Sequence, residues 1–151
     1  MRDNYLHTDL TDLIIKGFYA VYNQLGYGFL EKVYENAMLV ELKKNLLECK
    51  PQAQIEVFYD NAKVGFYIAD IIVNNKVIVE IKAAESICEE HEAQLTNYLK
   101  ATTIEVGLLL NFGKKPQIKR KVIQQNSKDR TQIIMILMIN AEKYYYILCS
   151  K

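Results

Sequence analysis

The chain of 151 residues has no tryptophan, two histidines, two prolines and three cysteines. Each scarcity removes a class of protein. Cys49, Cys88 and Cys149 are odd in number and form no CxxC pair, which argues against a disulfide framework, a zinc ribbon or an iron–sulfur site. They are expected as reduced thiols of a cytoplasmic protein. Cys88 and His91 stand one helical turn apart, but two lone ligands do not make a metal site. No long apolar run is present either: the longest, IIMILMI at 133–139, is too short to span a bilayer as a helix. The N-terminal MRDNYLHTDL lacks the apolar centre of a signal peptide, so no membrane partner is expected. No repeat, low-complexity tract or Pro/Gly/Ser linker divides the chain, and a single domain over 1–151 is expected, with 126–151 as an apolar tail.

What is present is an ordinary globular composition, 50% hydrophobic and 25% charged, at a length that buries roughly 70% of the extended-chain surface. Net charge is only +1, but it is unevenly spread. Residues 1–110 hold 10 basic and 16 acidic side chains, whereas residues 111–130 hold 7 basic and 1 acidic. A basic segment beside an acidic body suits either a solvated loop or contact with nucleic-acid phosphates.

Periodicity gives the element order. Leu10, Leu13, Ile14, Phe18, Val21, Tyr22 and Leu25 mark a helix over 9–25 that Gly26 can end. Leu30, Val33, Tyr34, Ala37, Met38 and Leu42 mark a second over about 29–47. The period then falls to two. AQIEVFYD and VGFYIADIIV read as a strand pair, and KVIVEIKA returns from a tight turn at Asn74-Asn75, where asparagine tolerates positive φ. Ser86 and Glu89 have capping-box spacing and open a third helix over about 87–101; EVGLLLNF follows as a buried strand. The order α-α-β-β-β-α-β is that of a mixed α/β domain.

Within these apolar strands stand Asp70, Glu80 and Lys82. Glu80 and Lys82 share one strand face, and a hairpin at 74–75 brings Asp70 back beside them. Two converging carboxylates repel unless a cation lies between them, and Mg²⁺ is commonly held by one or two carboxylates with water and phosphate. A neighbouring lysine can orient water or neutralise charge developing on phosphate. A cross-strand Glu–Lys pair on a sheet surface would give the same spacing without any chemistry. Two further groups stand nearby in sequence. Glu31 begins a helix with Tyr34 on its face, and His91, Gln94 and Tyr98 share one face of the third helix.

Taken together, Gly28, Glu31 and Tyr34, then Asp70, then Glu80-Ile81-Lys82, then the QxxxY spacing of Gln94 and Tyr98 resemble the GxxExxY family, within the PD-(D/E)XK nuclease superfamily. The likeness covers about residues 8–123, with Ala69 where a proline often precedes the first acid. It implies a restriction-endonuclease-like core, a central mixed β-sheet flanked by helices. It implies that Asp70 and Glu80, with the Ile81 carbonyl and Glu31, ligate Mg²⁺ or Mn²⁺, and that Lys82 positions the attacking water. Tyr34, Gln94, Tyr98, Lys119 and Arg120 would contact the substrate or support Lys82, with Ile118-Lys119-Arg120 a basic turn. The implied activity is metal-dependent phosphodiester hydrolysis on nucleic acid, DNA foremost. A non-catalytic nucleic-acid-binding or regulatory module on the same fold is the alternative, and a protein-interaction domain a third. TQIIMILMINAEKYYYILC reads as a hairpin that must pack on the domain, extend its sheet or pair two copies as a homodimer.

Overall fold

The structure, a computed structural model, describes residues 6–125. The expected apolar hairpin of the tail, and any homodimer built on it, lie outside the described residues. Two helices, α1 (Thr8–Leu25) and α2 (Glu31–Lys44), precede strands β1 (Cys49–Tyr59), β2 (Ala62–Val73) and β3 (Val77–Lys82). Helix α3 (Glu89–Lys100) then leads to β4 (Val106–Phe112) and β5 (Pro116–Val122). The five strands lie in sheet order β1-β2-β3-β4-β5. Only β3 and β4 are parallel, because a helix-long crossover joins them; the other neighbours are connected by short turns and run antiparallel.

The layers follow from the apolar stripes. Ile14, Phe18 and Val21 of α1 and Tyr34, Met38 and Leu42 of α2 are buried on one sheet face, against Ile71, Val79, Ile81, Leu108, Leu110 and Phe112. Burying one such side chain contributes about 1.5–3 kcal/mol. Phe112 is the aromatic anchor of this face, with Tyr34 stacked on it at 4.2 Å and Phe18 edge-on at 4.6 Å. On the opposite face Leu95, Tyr98 and Leu99 of α3 cover Ile72, Ile78 and Leu109. Helix and sheet approach so closely there that a Cβ on Gly107 would lie 2.7 Å from the Leu95 side chain. Covered on both faces, β3 and β4 are apolar almost throughout, which is why they read as continuous rather than alternating runs.

Three boundaries differ from the sequence expectation. β1 begins at Cys49 rather than Ala53, and runs through Pro51, which an edge strand tolerates. Helix α3 begins two residues later than the Ser86–Glu89 box suggested: Cys88 is its N-cap, and the Cys88 N–H donates to His91 Nδ1 at 3.3 Å. The Cys88/His91 spacing is thus a cap. Ile118-Lys119-Arg120, expected as a basic turn, lies within β5 (Pro116–Val122), an edge strand among the described residues. Its Ile118 and Val122 pack toward α1 and α2, while Lys119 and Lys121 reach Glu92 of α3.

Candidate active site

Strands β2 and β3 are zipped at one end and forked at the other. Their pairing runs from Val73–Val77 to Ile71–Val79 and stops. At the next position the Asp70 side chain replaces the backbone acceptor, and its Oδ2 accepts the Ile81 N–H at 2.8 Å. Beside it, Glu80 is 3% exposed. One of its oxygens accepts from Lys82 Nζ at 3.0 Å, and the other, Oε2, is buried with no hydrogen-bond partner. A buried polar atom left unpaired costs about 1–3 kcal/mol, more when charged.

Electrostatics agree with this crowding. Burial first, and the Asp70 charge second, push the Glu80 carboxyl up to about 7, against the pull of Lys82. Asp70 is also raised, chiefly by burial; the Ile81 N–H opposes that shift, and the charges of Glu35 and, more weakly, Glu31 add to it. Both shifts make ionisation costlier here than for a free carboxyl, a cost that positive charge at the fork would offset. Lys82 itself is largely enclosed, its side chain 12% exposed. Asp70, Glu80 and Lys82 thus converge at the forked strand ends.

The helix residues take more varied places. Glu31 is exposed at the first position of α2. Tyr34, expected at the substrate, is instead fully buried. Its hydroxyl donates to the Gly26 carbonyl at 2.8 Å and accepts the Phe29 N–H at 3.2 Å. With Gly28 at φ +106°, a value side-chain-bearing residues rarely adopt, the Gly28–Tyr34 spacing is a latch on the loop that starts α2. On α3, Gln94 Nε2 donates to the Tyr98 hydroxyl at 2.6 Å, and that hydroxyl donates to the Ile68 carbonyl at 3.1 Å. The pair therefore holds the stretch of β2 leading into Asp70. Burial, then the charge of Glu80, raises the Tyr98 phenol to about 12, so it stays protonated as a donor.

The two basic residues stand apart from the fork. Arg120 shares the sheet face of Ile118 and Val122, opposite Glu80, and its Nη2 donates to the Leu6 carbonyl at 2.6 Å. Lys119 is aligned with Glu80 through Leu109, two strands away, and lies 3.9 Å from Glu92. One residue went unnoticed in the sequence. Glu35 is 4% exposed, bonded to Lys32 at 2.8 Å and to Gln52 Nε2 at 2.9 Å. Gln52 stands opposite Asp70 in the β1–β2 register and holds φ +50°. Glu35 follows Tyr34 and precedes Met38 by three, inside the buried stripe of α2; a carboxylate there was the available signal.

A divalent cation suits this donor set. The orphaned Glu80 oxygen and a second carboxylate, with Lys82 as the paired cation, are what a hard, oxygen-seeking ion would satisfy. Among the described residues no group of three His, Cys, Asp or Glu side chains could hold a metal, so water or phosphate would complete the shell. No helix among them is long and apolar enough to cross a membrane.

Comparison with known proteins agrees with the geometry. No curated protein matches the chain significantly. Among solved structures, the crystal structure of SSO0001 superposes with a TM-score of 0.50 at 18% identity, covering 90% of this chain and 69% of the other, a likeness of fold alone. The sequence profile of the PD-(D/E)XK nuclease superfamily matches residues 8–122, the span that holds the forked strands and their acids. By that match the chain belongs to the PD-(D/E)XK nuclease superfamily.

Proposed function

We propose that the protein is a metal-dependent nuclease of the GxxExxY branch, a cytoplasmic enzyme that hydrolyses phosphodiester bonds of nucleic acid, with DNA as its first substrate to test. The observation that carries the reading is the unpartnered, buried Glu80 oxygen set between Asp70 and Lys82 at an open strand fork. Asp70 and Glu80 would hold Mg²⁺ or Mn²⁺, with the Ile81 carbonyl as a main-chain ligand and Glu31 adding negative charge from α2. The bound ion would activate water and stabilise the leaving oxygen. Lys82 orients that water and offsets charge developing on the phosphate, a role suited to an ammonium held in a largely enclosed site. Gln94 and Tyr98 fix the backbone before Asp70, so the carboxylate meets its partner in one geometry.

The test is incubation with single- and double-stranded DNA and RNA in Mg²⁺, Mn²⁺ or EDTA. Cleavage that needs the metal is the expected outcome. Salt-sensitive binding with no cleavage under any condition would replace this reading with that of a binding module.

A further inference from the structure

Among the described residues, three of the five cations in the basic segment are engaged within the protein. Arg120 is bonded to Leu6, and Lys119 and Lys121 face Glu92. Lys114 and Lys115 differ. Both are exposed, and neither forms an ion pair among the described residues. They occupy the turn between β4 and β5, just beyond Phe112–Pro116, the last pair of that ladder. Because β3 and β4 run parallel with Lys82 beside Asn111, this turn lies at the same end of the sheet as the forked site. Ligands of open α/β sheets gather outside those strand ends.

The turn is also held unusually firmly for a surface loop. Tyr22 of α1 donates its hydroxyl to the Gly113 and Lys114 carbonyls at 3.0 and 2.9 Å. On the other side a Cβ on Gly113 would collide with the Ala84 carbonyl oxygen. Asn111, fully buried, clasps both the N–H and the carbonyl of Ala84 at 2.9 and 3.0 Å. The segment that leaves Lys82 and the turn that carries Lys114 and Lys115 are thereby locked together. With the turn's backbone already held, Lys114 and Lys115 have less freedom to lose on binding than lysines on a loose loop.

We propose that Lys114 and Lys115 are a preorganised contact for the phosphate backbone of the nucleic acid whose scissile bond lies at Asp70, Glu80 and Lys82; this rests on the nuclease reading above. The surrounding body is acidic, so two unpaired cations on a held turn at that end would set the path of the strand. The test is fluorescence anisotropy of labelled single- and double-stranded DNA, in EDTA to prevent cleavage, across a series of salt concentrations. Lys114→Ala/Lys115→Ala should lower the slope of log affinity against log salt by about 1.4–1.8, since each phosphate contact contributes about 0.7–0.9. Lys76→Ala, an exposed lysine in the turn at the opposite end of the sheet, should leave the slope unchanged. Tyr22→Phe keeps both charges while freeing the turn, and should weaken binding with the slope preserved. A double variant with the wild-type slope, or an equal fall for Lys76→Ala, overturns the assignment and leaves the nuclease reading intact. Wild-type protein that binds no nucleic acid in EDTA overturns the assignment, while cleavage in Mg²⁺ or Mn²⁺ decides the nuclease reading separately.

Discussion

The two ends of the β2–β3 hairpin are made from neighbouring residues and behave as opposites. At the closed end Val73 pairs with Val77 across Asn74 and Asn75, both at positive φ, in the mirror-image turn whose twist suits a hairpin. The turn's side chains find partners: Asn74 Oδ1 accepts the Glu48 N–H at 2.8 Å, and Asn75 Oδ1 accepts Lys50 Nζ at 2.7 Å. At the open end the ladder stops, a side chain substitutes for a main-chain acceptor, and a buried carboxylate oxygen goes unpartnered. One end is optimised for stability. The other holds unsatisfied charge where a ligand can meet it, as functional sites do.

That contrast can be broken from either side. The largest expected effect is at the fork: Lys82→Ala should reduce cleavage by about a thousandfold, on the order of 4 kcal/mol of barrier. Melting curves would show whether the fold survives, as expected for a side chain at the sheet's open end. Next comes the closed end. Asn74→Ala/Asn75→Ala forces two ordinary residues into positive φ at about 1–2 kcal/mol each, so the melting temperature should fall while metal affinity stays unchanged.

The third effect concerns pH. Glu80 is raised to about 7 in the folded protein, so without metal its stabilising contribution is complete in its protonated form, at acid pH. Stability should decline as pH rises from the ordinary 4.5 to about 7 and level off above it. Glu80→Gln, which cannot ionise, should remove that decline and stabilise the metal-free protein at pH 8 by roughly 2–3 kcal/mol, read by denaturant titration. The smallest effect is expected at Glu35. Glu35→Gln keeps the side chain's shape but withdraws a charge felt at Asp70, and Mn²⁺ affinity measured by calorimetry should fall a few-fold.

Much of this was legible before any coordinates. The helices follow from Ile14/Phe18/Val21 and Tyr34/Met38/Leu42, and Asn-Asn between two β-branched runs specified the hairpin that returns Glu80 to Asp70. The acids and lysine of the fork, and the Gln94/Tyr98 spacing, were visible as polar residues in apolar surroundings. What stayed hidden depended on contacts that only the folded chain makes. β5 reads PQIKRKV, three consecutive basic residues between Ile118 and Val122, and lysine-rich edge strands carry little hydrophobic signal. Tyr34 stood in the apolar stripe of α2, and its substrate role came only from the family resemblance; the fold instead brings Gly26 and Phe29 to its hydroxyl. Glu35 was hidden for the same reason: its Gln52 partner lies in β1 at a backbone angle that strand periodicity does not foretell.

If the fork's unsatisfied carboxylates exist to hold a divalent cation, that ion should bind without any substrate present. Isothermal titration of Mn²⁺ into the protein at pH 8, wild type against Glu80→Gln, is the direct measurement. A saturable site is expected in the wild type, weakening as pH falls below about 7 while the Glu80 proton competes. Glu80→Gln should lose that site. Equal Mn²⁺ binding by the two proteins, or none by the wild type at pH 8, would contradict a metal-holding fork.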